Sequence, residues 1–263
     1  MLSLMKNGRR LEYQVTGEGK PFVFLHGMGG SVKQIESAYV PLKGVQLINI
    51  NQQGHGNSEA DWENYDFEHL ADDVVSLMDE LKIEKVYLGG ISMGAAVSLN
   101  IAVRYPERIE SLLLIRNAWT IEPMSEDVQK AYYDMGLALK ENSIDAFYDT
   151  EGWNLVKEPS VYTRNAFVSP FADEACLKYW EKYLILPKKT PIHDVKQLEK
   201  LSMPVYILAN KNDFCHPFEM GVWMHEHIKG SAFLEIPDKD IGPAEHKKLS
   251  NDTIKTMIFG REC

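Results

Sequence analysis

The sequence predicts an α/β protein with a mostly parallel sheet, and three observations support this fold class. Short apolar runs typical of buried strands alternate with longer segments whose apolar residues recur at helical spacing. At 263 residues the chain is long enough to bury a complete core of this kind. A glycine-flanked serine, Ser92, lies between an apolar strand and a helix rich in small residues, where a tight strand-to-helix turn is expected.

The N-terminal third contains strands joined by turns and then a helix. Residues 9–16 are predicted to form a hairpin strand, and the apolar run 22–25 follows the turn at residues 17–21 as a buried strand. Residues 46–50 form the next predicted strand. Between residues 67 and 81, apolar side chains recur every three or four positions, which predicts a helix that covers one face of the sheet.

The following strand and helix flank the serine turn. The run 85–88 predicts a buried strand, and residues 93–105, which are rich in alanine and leucine, predict a helix that Pro106 ends. Residues 109–115 form another predicted strand. This alternation of strand and helix is the pattern of an α/β sheet.

From residue 117 to residue 190 the strand-like runs stop and aromatic helical segments replace them. This change predicts a helical cap, residues 117–190, inserted into a core that comprises residues 1–116 and 191–263. Most aromatic side chains on such helices serve packing, but a cap that covers a pocket exposes some of them to ligand. The aromatic residues concerned are Trp153, Tyr162, Phe167, Phe171, Tyr179, Trp180 and Tyr183.

After Asp194, a predicted helix N-cap, the alternation resumes. Residues 205–209 and 232–236 are predicted to be strands because they are short apolar runs. Residues 218–228 and 252–259 are predicted to be helices. The sequence contains no internal repeat, low-complexity tract or flexible linker.

The composition excludes several kinds of partner. The formal net charge of −10 argues against nucleic-acid binding, which requires a basic face to release counterions. No apolar stretch approaches the length of a membrane span, and the N-terminal apolar run is too short for a signal peptide. We therefore expect a soluble cytoplasmic protein that binds a small molecule, with no nucleic acid and no membrane as partner. The sequence leaves the oligomeric state open.

The cysteines and a pair of histidines do not predict a metal site. Cys176, Cys215 and Cys263 are an odd number without metal-type spacing, so we expect reduced thiols. His225 and His227 lie two residues apart on a predicted helix and therefore point in different directions.

Gly90 and Gly94 flank Ser92 at positions where a side chain would collide with the neighbouring strand or helix. Ser92 can therefore adopt a strained backbone that exposes its Oγ, which is the Gly-x-Ser-x-Gly nucleophile elbow. A serine hydroxyl is a poor nucleophile at neutral pH. It needs a histidine to take its proton and a carboxylate to orient that histidine, and the elbow fold predicts the chain order serine, acid, histidine.

Asp213 and His246 follow late strands in that order. A carboxylate at Asp213 would stand at the carboxyl edge of the sheet, and His246 lies on the loop after the last strand. Asp238 and Asp240 are competing acids. His216 is the main competing histidine because it is near Asp213, and it is otherwise expected to line the pocket.

With these motifs, the chain resembles the α/β-hydrolase superfamily, in its cap-bearing serine esterase-like branch. The resemblance covers nearly the whole chain and rests on His-Gly-Met-Gly at residues 26–29, Gly-His-Gly-Asn-Ser at residues 54–58, the elbow and the Asp213 loop. It implies a mostly parallel eight-stranded sheet with helices on both faces and a helical cap insertion.

The resemblance also implies roles for individual residues. Ser92 is implied as the nucleophile, Asp213 as the orienting acid and His246 as the general base. The backbone N–H groups of Met28 and Met93 are implied as the oxyanion hole, which stabilises the charge that develops on the substrate oxygen.

Four further residues are expected to line the substrate pocket: Gly27, Trp119, Trp153 and His216. The two tryptophans lie in the predicted cap, where they would form edges of the entrance. The chain departs from the family at Glu245, because family members commonly carry glycine directly before the catalytic histidine. A carboxylate at that position would stabilise the protonated imidazole if it contacted the ring.

Together these residues predict a serine hydrolase that cleaves an ester-like bond in a small, largely apolar substrate through an acyl-enzyme. The mechanism requires no metal and no organic cofactor. The same triad serves carbon–carbon bond hydrolases, thioesterases, lactonases and cofactor-free perhydrolases, so these remain open. A ligand-binding or signalling protein that retains the triad and turns over slowly is the alternative from another class.

Overall fold

A computed structural model describes residues 1–260 of the chain and contains one eight-stranded sheet. The strands lie in the order β1-β2-β4-β3-β5-β6-β7-β8, with β1 and β2 antiparallel to their neighbours and the other neighbouring pairs parallel. The predicted fold class, a mostly parallel α/β sheet, is confirmed. The strands are β1 (Leu2–Lys6), β2 (Arg9–Gly17), β3 (Lys20–Leu25), β4 (Val45–Ile50), β5 (Val86–Ile91), β6 (Ile109–Ile115), β7 (Val205–Ala209) and β8 (Ala232–Glu235).

Helices connect the strands from β3 onward, and six of them, α4 to α9, lie between β6 and β7 in the part of the chain predicted to form a cap. Within residues 1–260, no helix is long and apolar enough to span a membrane. The helices are α1 (Val32–Ala38), α2 (Phe67–Glu80), α3 (Met93–Arg104), α4 (Glu126–Lys140), α5 (Ile144–Tyr148), α6 (Glu151–Val156), α7 (Val161–Val168), α8 (Glu174–Lys178), α9 (Lys182–Ile185), α10 (Phe218–His227) and α11 (Pro243–Phe259).

The core forms two apolar layers, one on each face of the sheet, because successive side chains of a strand point to opposite faces. Strand β3 illustrates this division. Val23 packs in the layer that contains α2 and α3, whereas its neighbour Phe24 packs in the layer that contains α1 and α11. Helices packed on both faces therefore hold the sheet in position, including the carboxyl ends of its strands.

Most predicted elements agree with the structure within a few residues, and two differences are informative. Strand β1 was not predicted, because it is a mostly exposed edge strand without a continuous apolar run. Helix α11 begins at Pro243, nine residues before the predicted start at residue 252, because its first turns are mostly polar and lack an apolar stripe. Asp194 caps a short 3-10 helix through its side chain, which confirms the predicted N-cap.

The glycines at the serine turn provide a test of how closely the elements pack. A Cβ on Gly94 would lie 2.3 Å from the carbonyl oxygen of Leu25, a backbone atom that cannot rotate away. We expect Gly94→Ala to lower the free energy of unfolding by about 1–3 kcal/mol, although alanine favours helices over glycine. Urea denaturation of the two proteins measures this difference.

Gly136→Ala is the matched control, because Gly136 is also helical and its added Cβ would meet the flexible tip of Leu184. The control is expected to lose less stability than Gly94→Ala. Equal losses in the two variants would contradict the close backbone approach at Gly94.

Candidate active site

Ser92 occupies the turn between β5 and α3 in the strained conformation that the sequence predicts. Its φ is 56° and its ψ is −115°, a region that residues with side chains rarely adopt. The N–H of Ser92 donates to the carbonyl of Ile115, at 2.9 Å, and so ties the turn to β6. A Cβ on Gly90 would lie 2.1 Å from the carbonyl carbon of Gly94, so only glycine fits beside the serine.

His216 is the histidine that contacts Ser92. The distance from His216 Nε2 to Ser92 Oγ is 2.7 Å, and the distance from His216 Nδ1 to Asp213 Oδ1 is 2.8 Å. An ionised carboxylate only accepts hydrogen bonds, so Nδ1 carries the proton and Nε2 accepts the hydroxyl proton of Ser92. The three side chains form one continuous hydrogen-bonded chain.

His246, which the sequence analysis favoured as the base, has a different partner. It lies in the first turns of α11, where its Nδ1 is 2.8 Å from the carbonyl oxygen of Pro237. Burial, reinforced by the nearby cations Lys239 and Arg116, lowers the pKa of this buried histidine to about 4. The hydrogen bond to Ser92 expected of His246 is therefore made by His216.

Glu245 also differs from its expected place beside a catalytic histidine. Its side chain is exposed and lies 3.6 Å from Lys248 Nζ, one turn further along α11. The carboxylate belongs to the surface of the helix.

Three neighbouring parallel strands bring the site together. Ile91 at the end of β5 pairs with Ile115 at the end of β6, which in turn pairs with Leu208 in β7. Ser92 and Arg116 are the first residues after β5 and β6, and Asp213 follows β7 by four positions. Because parallel strands end at one edge of the sheet, these three side chains meet there.

Arg116 binds the second carboxylate oxygen of Asp213 and also lies beside the ring of His216, with its Nη2 3.1 Å from His216 Nδ1. Its Nε and Nη2 donate to Asp213 Oδ2, at 2.8 and 2.5 Å, and both side chains are nearly inaccessible to solvent. Burial alone would raise the pKa of Asp213, but His216 and Arg116 hold it well below its usual range. Asp213 is therefore ionised at neutral pH.

The environment keeps the imidazole of His216 neutral. Burial lowers its pKa and the Arg116 guanidinium adds to this effect, while Asp213 acts in the opposite direction. The net pKa lies below the usual histidine value, so the ring is unprotonated at neutral pH and can accept a proton from Ser92.

The loop after β3 presents a free backbone donor beside Ser92. Gly27 N–H donates to Gln34 Oε1 at 2.7 Å, and Gly29 N–H donates to His55 Nε2 at 3.1 Å. Between them, the N–H of Met28 has no acceptor among the described residues. Met93 is the first residue of α3, so its N–H has no carbonyl partner within that helix.

A cavity of about 260 Å³ opens at Ser92, and its walls include Met28, Asp213 and His216. Helix α7 supplies one wall of this cavity. Two of the four predicted lining residues, Gly27 and His216, line it. The other lining residues are Gly29, Gly30, Gln34, Ile91, Arg116, Tyr132, Tyr162, Thr163, Asn165, Ala166, Ser169, Pro170 and Cys215.

The two tryptophans predicted at the entrance lie elsewhere. Trp119 is completely buried and packs edge-on against Phe67, with ring centroids 5.0 Å apart. Trp153 packs against Phe147 and Tyr148, with centroids 5.6 and 4.6 Å away. Neither lines the Ser92 cavity, because apolar packing holds each ring against its neighbours.

Comparison with known proteins agrees with this fold. Residues 20–137 match the family model described as alpha/beta hydrolase fold. The AB hydrolase superfamily protein YisY of Bacillus subtilis (strain 168) is 25% identical over 253 residues, which cover 90% of this chain and 91% of that protein. The chain belongs to the α/β-hydrolase superfamily.

Solved structures of other α/β-hydrolases share the fold over the whole chain. An enzyme from a Medee basin deep-sea metagenome library superposes with a TM-score of 0.78 and 18% identity, covering 100% of this chain and 98% of the other. The enol-lactonase of Burkholderia xenovorans superposes with a TM-score of 0.74 and 21% identity, covering 97% and 99%. At these identities the similarity concerns the fold.

Cys176 and Cys215, the cysteines within the described residues, are poor nucleophiles because burial raises the pKa of each thiol. Cys215 lines the Ser92 cavity, but burial raises the pKa of its thiol to about 12, so it is a thiol at neutral pH. Cys176 is buried as well, and Cys263 lies outside the described residues. Within residues 1–260, no three His, Cys, Asp or Glu side chains cluster as metal ligands would.

A second group of charged side chains adjoins the site. Tyr162 Oη accepts a hydrogen bond from Arg116 Nη1 at 3.1 Å and another from Lys239 Nζ at 2.9 Å. Burial would raise the pKa of Tyr162, but the two cations outweigh burial and lower the pKa to about 8. The phenol is therefore strongly polarised in a position that faces the cavity.

Sequence reasoning missed the part that Arg116, Tyr162 and Lys239 play. Arg116 directly follows a predicted strand, and that position was the available signal. Lys239 begins a charged string that resembles a solvated surface, and Tyr162 is one of many aromatic residues in the predicted cap. Their contact joins segments far apart in the chain, which no local pattern reveals.

The ionisation of Tyr162 is directly measurable. We expect the near-ultraviolet absorbance of phenolate to show a transition near pH 8 with the amplitude of one tyrosine. Tyr162→Phe removes this transition. Tyr133→Phe, which removes an exposed tyrosine, leaves it intact. A transition near pH 8 that persists in Tyr162→Phe would contradict the assignment.

Proposed function

We propose that this α/β-hydrolase is a serine hydrolase of the cap-bearing, carboxylesterase-like kind that cleaves an ester-like bond. Ser92 is the nucleophile, His216 is the general base and Asp213 orients the base. One observation carries the proposal: Ser92 Oγ is 2.7 Å from His216 Nε2, whose Nδ1 is 2.8 Å from Asp213 Oδ1. Nucleophile, base and orienting acid are thus in hydrogen-bond contact in the required order.

In the first half of the reaction, Ser92 Oγ attacks the carbonyl carbon of the substrate while His216 Nε2 takes the hydroxyl proton. The carbonyl π bond becomes an oxyanion. The N–H groups of Met28 and Met93 are the proposed donors to this oxygen, because both are backbone groups beside Ser92 without an intrahelical or loop acceptor. His216 then gives its proton to the leaving oxygen, which departs as an alcohol.

In the second half, His216 takes a proton from water and the resulting hydroxide attacks the acyl carbon. The carbonyl reforms as the bond to Ser92 Oγ breaks, and the proton on His216 returns to the serine. Asp213 keeps Nδ1 protonated throughout and stabilises the imidazolium that forms twice per cycle. These steps use side chains, two backbone N–H groups and water.

The cavity supports a substrate with polar groups. The sequence predicted a largely apolar substrate, but Gln34, Tyr162, Thr163, Asn165 and Ser169 contribute to the lining. Lactones are internal esters, so the same steps open them with the alcohol retained in the product. The likeness in fold to an enol-lactonase makes a lactone the second candidate substrate.

Covalent labelling tests the nucleophile and the base together. We expect a fluorophosphonate to add its mass to the protein and Ser92→Ala to abolish the labelling. His216→Ala is expected to slow labelling about 10²- to 10⁴-fold, since general-base assistance is lost. Intact-protein mass spectrometry against time gives the rates.

His246→Ala is the matched control because it removes a second buried histidine that contacts a backbone carbonyl instead of Ser92. Its labelling rate is expected to stay within about threefold of the parent rate. Slower labelling in His246→Ala than in His216→Ala would contradict the assignment of the base.

The pH dependence of kcat/KM follows from the protonation of His216. The base acts when neutral, so activity falls as pH drops through its pKa, which burial and Arg116 place below the usual value of about 6.5. Arg116→Gln removes the nearby cation and is expected to move this acidic limb to higher pH. Arg164→Gln, the same change in helix α7, is expected to leave the acidic limb in place. An acidic limb unchanged in Arg116→Gln would show that the guanidinium does not act on His216.

A further inference from the structure

Arg116, Tyr162 and Lys239 form a cluster beside the proposed triad, and the acyl-transfer steps do not use its free donors. A phenol oxygen has two acceptor positions and one proton to donate. Both acceptor positions of Tyr162 are occupied, by Arg116 Nη1 at 3.1 Å and by Lys239 Nζ at 2.9 Å. The O–H of Tyr162 is left to donate, and no acceptor for it lies within residues 1–260.

Lys239 adds further unused donors. An ammonium group has three N–H donors, and one of these binds Tyr162. Within the described residues, the other two have no acceptor. The adjacent carboxylate of Asp240 does not supply one, because its Oδ1 accepts the backbone N–H of Tyr162 at 2.7 Å and the side chain is exposed.

The charges of the cluster do not balance. Arg116 and Lys239 are cations, and Asp213 is a carboxylate in contact with Arg116. Burial and the neighbouring Arg116 lower the pKa of Lys239, which shows that its positive charge is disfavoured where it lies. Lys239 is half-buried, and charges withdrawn from water are usually paired in proteins, so this cluster favours an anion.

The cluster lies where two cavities meet. Lys239 and His246 line a second cavity of about 300 Å³, which shares Gln34, Ile91 and Tyr162 with the Ser92 cavity. A ligand whose carbonyl lies at Ser92 can therefore extend past Tyr162 toward Lys239.

We infer that Tyr162 and Lys239 form a subsite for a carboxylate, and that the enzyme acts on esters or lactones whose acyl part carries a second, ionised carboxyl group. A carboxylate there accepts the free phenolic proton and an ammonium proton, and it neutralises the excess charge. The nature of the cleaved bond rests on the proposed function. The anion subsite rests on the unused donors and the charges alone.

Matched ester pairs test this inference. The substrates are monoethyl succinate, glutarate and adipate, each compared with the ethyl ester of the monocarboxylic acid of equal chain length. At least one dicarboxylic half-ester is expected to have the higher kcat/KM. The preference is the kcat/KM of the half-ester divided by that of its matched ethyl ester. Lys239→Met is expected to lower this ratio about tenfold or more, because it removes a hydrogen bond between charged groups. Lys239→Arg keeps the charge and is expected to retain the preference.

Lys248→Met is the control, because it removes an exposed cation from α11 that faces neither cavity. Its ratio is expected to equal that of the parent. The inference is overturned if no half-ester is preferred. It is also overturned if Lys239→Met lowers kcat/KM equally for the two esters of each pair, so that their ratio is unchanged.

A binding measurement separates failure of the subsite from failure of the proposed hydrolase. In Ser92→Ala protein, calorimetric titration with glutarate is expected to show binding that either Tyr162→Phe or Lys239→Met weakens about tenfold or more and Lys248→Met does not. If fluorophosphonate fails to label Ser92 while glutarate binding depends on Lys239, the subsite stands and the hydrolase proposal fails. If Ser92 is labelled and glutarate binding depends on neither residue, the subsite is refuted.

Discussion

The carboxylate of Asp213 binds two side chains at once, and the geometry of the site depends on this division. Oδ1 holds Nδ1 of His216, and Oδ2 holds the guanidinium of Arg116. The guanidinium keeps Asp213 ionised, the ionised oxygen fixes the protonated nitrogen of His216, and the other ring nitrogen is thereby aimed at Ser92 Oγ. Without the ionised carboxylate, neither the tautomer nor the orientation of the imidazole would be set.

His216, the proposed base, lies close to Asp213 in the sequence, and this leaves the loop between β8 and α11 available for other contacts. Because His216 follows Asp213 by three residues, the loop between β8 and α11 supplies no contact to Ser92. That loop places Lys239 against Tyr162, which Arg116 also contacts, while His246 lines a neighbouring cavity. The cationic side of the site therefore occupies the region where the sequence predicted the base, which is why the proposed catalytic and the proposed binding residues are adjacent.

The fold and the serine turn could be predicted from the sequence because both leave local signals. The apolar runs of β6 and β7 matched their predicted bounds, and the glycines around Ser92 record a close backbone approach. The choice between His216 and His246 left no such signal, since both follow Asp213 and only the path of the chain decides which ring reaches Ser92. Trp119 was misplaced for a related reason: its position in the predicted cap is compatible with a pocket edge as well as with the core, where the structure buries it.

The most direct test of this account is a crystal structure of the protein with a phenylboronic acid bound covalently to Ser92, which imitates the tetrahedral intermediate. We predict His216 Nε2 within hydrogen-bond distance of Ser92 Oγ or a boronate oxygen, with His216 Nδ1 still on Asp213 and another boronate oxygen at the N–H groups of Met28 and Met93. A boronate contacted by His246 instead, with His216 turned away from Ser92, would contradict the central role given to Asp213 and His216.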